Sequence, residues 1–315
     1  MKLSVILPCF NGADTIAVQL DALAQQQWSE PWEVIFVNNG STDDSVAIAE
    51  SYRDRLPNLR IVNAYTPPGP RQGVTHSYTV GIQAATGDAF VFCEADDEVA
   101  SGWLTAMGQV LQQHEFVAGA LDYQRLNPSW LVGNKGCDRE LQRMDHIIPG
   151  LGYSSGCKLG MRRSVYETVG GFDPACKAAW DTDYCWRVQQ AGIPLHFIPH
   201  AMIYYRLPHS PLARYRKGKS WGECHMILIK KHGQPKVGWR AFKSLIRGGV
   251  EIVIYVLSLP VHSWSRQAFS DWIWSLGWEV GELQGMYRYL FLNRPIQHTQ
   301  SPSTPLPREQ GNILA

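Results

Sequence analysis

The sequence lacks any long hydrophobic run. No stretch reaches about 18 uninterrupted apolar residues, the length at which a membrane span becomes credible. The most apolar segment, residues 250–260 (VEIVIYVLSLP), is too short to cross a bilayer unaided. The chain also lacks paired cysteines. Its seven cysteines, at 9, 93, 137, 157, 176, 185 and 224, form no C-x-x-C pair and no zinc spacing. Several sit inside apolar runs, where a free thiol packs as a small hydrophobe. An odd, scattered set points to a reducing compartment. There is no internal repeat and no signal-peptide core, because the apolar start of MKLSVILPCFNG breaks at Pro8 and reads as a first strand. The expectation is a cytoplasmic protein with no integral membrane anchor.

Charge of one sign is scarce overall but not locally. The formal net charge of the 315 residues is +1. Residues 206–247, however, hold eleven Lys/Arg against one acid, Glu223, which leaves the rest of the chain near −9. Such a block fits an anionic partner: a membrane surface, a phosphate-bearing lipid or a nucleic acid. A nucleic acid is disfavoured, since no reading motif accompanies the block and the N-terminal half is acidic.

The first 125 residues alternate between apolar strands and amphipathic helices. Strands are expected at 3–7, 32–37, 59–64, 89–94 and 116–121, with helices at 14–26, 73–85 and 101–113 between them. A further helix begins at STDDSVAIAESY, with Ser41 or Thr42 as N-cap and Asp43 and Asp44 as first-turn acids. Near-continuous apolar strands in this order imply a parallel, doubly wound sheet, whose ligands bind beyond the C-terminal strand ends. Residues 123–153 read as a long irregular loop at the active site. Beyond it come a strand at 156–161, a helix at 164–169, a helix at 181–191 and two short strands at 195–198 and 201–205. From Pro211 the chain turns helical, basic and Trp-rich, and from Gln297 it is polar and Pro-rich, in the manner of a disordered tail. The expected units are 1–210, 211–296 and 297–315.

Polar residues cluster at three strand ends: Pro8, Cys9, Phe10 and Asn11; Asn38, Asn39 and Gly40; and Glu94, Ala95, Asp96 and Asp97. The run FVFCEADDEV sets three carboxylates after a buried strand, where they repel unless a cation is bound. Hard divalent cations such as Mn²⁺ or Mg²⁺ suit carboxylate oxygens and phosphates. The alternative is a solvated turn that caps the helix after Ser101. Asp181 has a comparable alternative, as a helix N-cap paired with Arg187.

The succession SVILPCFNG, EVIFVNNGSTDDS, GVTHSYTVGIQAATGDAFVFCEADD, VGGFD and WDTDYCWRVQQAG resembles the family 2 glycosyltransferases over about residues 3–232. The resemblance implies an α/β GT-A fold: a Rossmann-like mixed sheet flanked by helices, here with a C-terminal helical extension. It implies inverting transfer of a sugar from a nucleotide-diphosphate donor of UDP, GDP or dTDP type. The acceptor would be a glycan or polyprenyl-linked hydroxyl in cell-surface polysaccharide assembly. Pro8, Phe10 and Asn11 would border base and ribose, and Asn38 and Asn39 fall where Asp-Asp is common. Asp96, with Glu94 and Asp97 beside it, would hold the metal and the diphosphate, and Ala95 lies between them. Asp181 falls on the catalytic base, and Asp183 reads as structural. Trp180, Gly171, Phe172 and Asp173 would lie on the acceptor or sugar side.

The departures are Asn38-Asn39, Glu94 for the first Asp of D-x-D, Tyr78-Thr79 for Arg-Asn, Trp180 for Glu, and Tyr205 for His. They keep open a second reading, a catalytically weak member that serves as a binding or assembly subunit. The missing Q-x-x-R-W motif and the shortage of spans argue against a processive synthase. Residues 206–292, with six tryptophans between 221 and 278, suggest peripheral membrane contact on the cytoplasmic side. For 204–233 the alternatives are Arg and Lys residues lining the site near an anionic acceptor and a solvated helix packed on the catalytic part; for the Trp-rich helices the alternative is a helical homodimer interface.

Overall fold

A computed structural model describes residues 1–133, 136–233, 246, 249–250 and 265–296. The first half builds β1 (Leu3–Cys9), α1 (Ile16–Ala24), β2 (Trp32–Asn38), α2 (Ser45–Glu50), β3 (Leu59–Asn63), α3 (Val74–Ala84), β4 (Ala89–Phe92), β5 (Glu98–Val99), α4 (Trp103–Leu111) and β6 (Phe116–Asp122). Then follow α5 (Ser129–Val132), β7 (Gln142–Arg143), β8 (Gly152–Tyr153), β9 (Leu159–Arg162), α6 (Arg163–Val169), α7 (Trp180–Gln190), β10 (Leu195–Tyr204), α8 (Pro211–His232) and α9 (Arg266–Gly285). A π-helical segment, Met286–Phe291, continues α9.

Eight strands form one sheet in the order β3-β2-β1-β4-β9-β6-β10-β5. The expected strand–helix alternation is present, but the sheet is mixed rather than parallel. Strands β1 to β4 run parallel, whereas β9 is antiparallel to both β4 and β6. The edge strand β5 is antiparallel to β10. The two short strands expected at 195–205 are one strand whose register on β6 shifts between Phe197 and Met202.

Alternation along β1 divides the core between the two faces. Leu3, Val5 and Leu7 pack with α1 and α4 residues on one side, and Ile6 packs with α3 and α7 residues on the other. All four are fully buried, and each such side chain contributes about 1.5–3 kcal/mol by leaving water. The strands β1, β2 and β4 thereby deliver their C-terminal ends to one rim.

The second helix starts later than expected, at Ser45. Ser41 and Thr42 are not its cap, and Asp43 and Asp44 precede it. These residues stitch two rim loops together instead. Ser41 Oγ accepts from Asn11 N at 3.1 Å, Asn11 Oδ1 accepts from Thr42 N at 2.8 Å, and Asp43 Oδ2 accepts from Ala13 N at 2.9 Å. Asn11 adopts φ of +48°, which its short polar side chain tolerates.

After Ser210, whose hydroxyl caps the helix by accepting from Ala213 N, α8 crosses α9 with the two backbones in contact. Cβ atoms added at Gly218 and Gly222 would meet the carbonyls of Trp274 and Trp278, and those at Gly277 and Gly281 would meet Tyr215 and Lys219. No helix among the described residues is long and apolar enough to cross a membrane. The tail beginning at Gln297 lies outside the described residues, as do residues 251–264, which hold most of the apolar run at 250–260. Gly281→Leu should part the helices and lower stability by about 1–3 kcal/mol, read as an earlier denaturation midpoint. An unchanged midpoint would mean that the crossing does not carry stability.

Candidate active site

A cleft of about 680 Å³ opens along the strand-end rim. One wall is Pro8, Phe10, Asn11, Asn39, Glu94, Ala95 and Asp96, all anticipated from the sequence. Trp180 and Asp181, at the start of α7, line it as well. Asn38 does not line it. Its Oδ1 accepts from Ser41 N at 2.9 Å and its Nδ2 donates to Asn63 at 3.0 Å, so its amide is spent on the loop. The neighbouring Asn39 faces the cleft instead.

Asp181 is buried to 6 % exposure. Its Oδ2 accepts from Gly156 N at 2.9 Å and its Oδ1 from Thr182 N at 2.8 Å. A side chain at Gly156 would run into the Trp180 indole, so a glycine lets the backbone reach the carboxylate. Burial pushes the Asp181 carboxyl up to about 6, with the two backbone donors opposing the shift. Arg187 does not pair with Asp181; it pairs with Asp183 at 2.9 Å.

The acidic cluster is similarly strained. Burial and the Asp96 charge raise Glu94 to about 7. Asp97 is 1 % exposed and lies behind the cleft lining. Its Oδ1 accepts from Arg206 N at 2.9 Å, whereas its buried Oδ2 has no hydrogen-bond partner. Burial, then Asp96 and Glu94, hold Asp97 well above the usual carboxylate range. Donor atoms of Glu94, Asp97 and Cys157 lie within 4.8 Å of one another. An orphaned carboxylate oxygen among raised acids fits a hard divalent cation, with the carboxylates as the preferred donors over the thiol.

Gly171, Phe172 and Asp173 lie outside the cleft lining. Phe172 packs edge-on against Trp180, 4.6 Å between centroids, and against Tyr184. Asp173 Oδ2 takes a hydrogen bond from Lys231 at 2.8 Å. A second cluster of donor atoms, Asp173, Cys176 and Asp183, encloses this ammonium, so a cation of the protein's own already fills it.

Several cleft residues are not singled out by the sequence, although Lys217 falls in the segment 204–233 whose basic residues are one candidate lining. Arg71, Gln72 and Gly73 come from the loop before α3, and Ser155 and Cys157 from the approach to β9. Lys217, Ser220 and Trp221 come from α8. Lys217 Nζ donates to Tyr205 OH, and its charge opposes the rise of Glu94. The Arg71 guanidinium lies over the Phe10 ring, 3.0 Å from its centroid. Tyr78, which replaces a possible phosphate-side Arg, is fully buried between Phe92 and Trp180. The basic segment is therefore partly an internal feature: Arg214 is buried against α9, Lys231 binds Asp173 and Asp183, and among its described members Lys217 lines the cleft. Its members at 236, 240, 243 and 247 lie outside the described residues.

The mixed sheet with its strand-end cleft is a GT-A fold. The profile of Glycosyl transferase family 2 matches residues 4–170, and the chain belongs to that family. It is 33% identical over 136 residues to an uncharacterized glycosyltransferase, YibD, of Escherichia coli, covering 43% of this chain and 36% of that protein. It is 33% identical over 106 residues to a poly(ribitol-phosphate) beta-glucosyltransferase of Bacillus spizizenii, covering 32% and 16%. The chain thus spans less than two thirds of the length of these relatives. Among solved structures it is similar to the mannosyltransferase PcManGT of Pyrobaculum calidifontis, in complex with GDP-Man and Mn²⁺ (TM-score 0.61, 17% identity, 89% of this chain and 86% of that one). It is also similar to Staphylococcus aureus TarS 1-349 in complex with UDP (TM-score 0.51, 15% identity, 99% and 98%).

One carboxylate fastens α8 to α7. Asp183 is fully buried and meets Arg187 at 2.9 Å, Lys231 at 2.7 Å and His232 at 2.8 Å. Burial alone would raise its carboxyl, but the His232 hydrogen bond and the two cations hold it well below the usual range. The stability it contributes is therefore present above about pH 4 and is lost as pH falls toward its folded pKa. Asp183→Asn should cost about 3 kcal/mol or more at neutral pH, with the deficit shrinking in acid. A deficit independent of pH would refute the ionic account.

Proposed function

We propose that this chain is an inverting glycosyltransferase that moves a sugar from a nucleoside-diphosphate donor to a hydroxyl of a glycan or polyprenyl-linked acceptor in cell-surface polysaccharide assembly. The observation that carries the reading is Asp181, a buried carboxyl raised to about 6 that lines the same cleft as Glu94 and Asp96. The donors carried by the solved neighbours, GDP-Man with Mn²⁺ and UDP, support it, as does the poly(ribitol-phosphate) relative.

Pro8, Phe10, Asn11 and Asn39 form the nucleoside wall. Glu94, Asp96 and Asp97 would hold a divalent cation, Mn²⁺ or Mg²⁺, with the unpartnered Asp97 oxygen among its donors. When bound, that cation supplies charge neutralisation at the leaving diphosphate. Lys217 and Arg71 add positive charge to the cleft lining. On the other side Asp181 accepts the proton of the acceptor hydroxyl, whose oxygen attacks the anomeric carbon opposite the departing diphosphate. Displacement from that face inverts the anomeric centre. The Gly156 and Thr182 amides aim the carboxylate, and burial leaves its basicity suited to neutral pH. Gly171, Phe172 and Asp173 act from behind, by seating Trp180 and anchoring Lys231. A polyprenyl-linked acceptor places the work at the cytoplasmic face of a membrane, with the C-terminal helices in contact with it.

Asp181→Asn should lower kcat by about 10²–10⁴ while leaving donor affinity near normal; turnover like the wild type would sink the assignment. For the unaltered protein, kcat/KM should fall as pH drops through about 6, because an acid whose pKa is raised by burial protonates there. An ordinary Asp would hold its charge to about pH 4, so a flat profile to that point would exclude Asp181 as the base.

Thermal melts with UDP, GDP, dTDP and CDP, each with and without Mn²⁺, identify the donor class. A bound nucleotide at about 100 times its Kd adds roughly 2.7 kcal/mol. A shift from one nucleotide only with metal is expected. No shift from any would favour the binding or assembly subunit.

A further inference from the structure

Two histidines and a buried glutamate meet outside the cleft lining, and no step of the proposed reaction uses them. His146 Nε2 and His225 Nε2 lie 2.9 Å apart, and His225 Nδ1 lies 2.5 Å from Glu282 Oε1. His146 belongs to the loop between β7 and β8, His225 to α8 and Glu282 to α9. Each is held by its own element. The loop turns at Met144, whose carbonyl accepts from Ile147 N at 2.8 Å and from Ile148 N at 3.1 Å. Asp145 Oδ1 accepts from Gly150 N at 2.9 Å, and the Ile147 side chain is buried in the core. The turn that carries His146 is therefore anchored on both sides of it. Glu282 reaches His225 because Gly222 and Gly281 let the two helices touch. The Trp278 ring lies 5.4 Å from that of His225.

Proton positions follow from the partners. An ionised carboxylate only accepts, so His225 turns its Nδ1 proton to Glu282 and keeps a lone pair on Nε2. That nitrogen faces His146 Nε2. Either His146 donates a proton across the gap or a cation takes the proton's place. We propose that His146 and His225 form a site for a transition-metal cation such as Zn²⁺, with Glu282 as the orienting carboxylate behind His225 and water in the remaining positions.

Three observations favour the cation. A carboxylate on the far nitrogen is the arrangement that fixes the tautomer of a metal-bound histidine and raises its basicity. Two imidazoles at about 2.0–2.1 Å from a tetrahedral ion place their nitrogens about 3.3–3.4 Å apart, so His146 need retreat only about 0.4 Å, and its side chain is exposed. Apart from His225, the charged groups that act on His146 are Glu282 and Asp145, both negative. Imidazole nitrogen suits Zn²⁺, Cu²⁺ or Ni²⁺, whereas Mg²⁺ and Mn²⁺ prefer oxygen. This pair and the cleft carboxylates therefore select different ions. Lys217, Trp221 and His225 follow one another at steps of four on α8, and the first two line the cleft. A bound ion would clasp the 144–150 turn to that helix one turn beyond the cleft lining.

Calorimetric titration of the EDTA-stripped full chain with Zn²⁺, in excess Mg²⁺, tests this. The wild type should show a saturable zinc site that His146→Ala and His225→Ala each remove, and that Glu282→Gln weakens by about 10–100-fold. Cu²⁺ in its place should give an electron paramagnetic resonance spectrum coupled to two imidazole nitrogens, and to one at most in either alanine variant. His146→Ala replaces an exposed loop side chain, so it decides the matter even where His225→Ala, which strands Glu282, does not fold. No zinc uptake by the wild type would overturn the proposal. So would uptake that is unchanged in His146→Ala, which would leave the pair as a plain hydrogen bond. The readout is metal uptake and not transfer, so the result stands whether or not the chain is a transferase.

Discussion

The arrangement of the cleft depends on one buried anion. Asp183 sits in α7 two residues after Asp181 and gathers Arg187 from its own helix and Lys231 and His232 from the end of α8. A carboxylate at that depth is tolerable only with such company. The return is positional: the helix that starts with the proposed base is clamped to the helix that contributes Lys217 and Trp221. The part of the cleft lined by Trp180, Asp181, Lys217 and Trp221 is thus made from two elements far apart in sequence, held by charge rather than by a shared strand.

That arrangement also reinterprets the departures from the family pattern. Tyr78 removes a possible phosphate-side cation and becomes part of an aromatic cluster with Phe92, Phe172 and Trp180. Positive charge reaches the cleft from elsewhere, through Lys217 on α8 and Arg71 over Phe10. The Asn38 amide is consumed by its own turn, which leaves Asn39 at the cleft. A site whose acids are raised by mutual repulsion and burial keeps its demand for cations while changing where they come from.

Much of the first half was legible because buried strands announce themselves. LSVIL, WEVIFV and FVF are apolar on both faces, and each ends in polar residues that converge on the rim. The long-range choices were not legible. Antiparallel insertion of β9 between β4 and β6 is decided by partners some 70 and 40 residues away, and nothing local in LGMR records it. Pro199 and His200 made one strand look like two. Ser41 and Thr42 resembled caps because small polar residues serve caps and loop cross-links alike. The basic segment looked like a solvent-facing patch because the acids that neutralise part of it, Asp173, Asp183 and Asp271, lie outside it.

The glycine crossing of α8 and α9 has a bearing on how this chain can diverge. In an ordinary helix pair, a larger residue on one side can be matched by a smaller one on the other, so lineages explore the interface by compensating exchanges. Here main chain meets main chain at Gly218, Gly222, Gly277 and Gly281, and there is no smaller residue with which to compensate. These positions should be immobile in sequence, and variation in the C-terminal part is pushed to the outer faces of the pair and to the segment that joins the two helices. New surface chemistry would then arise on a parallel helix pair whose spacing cannot drift, by changing what it displays and not how it is built.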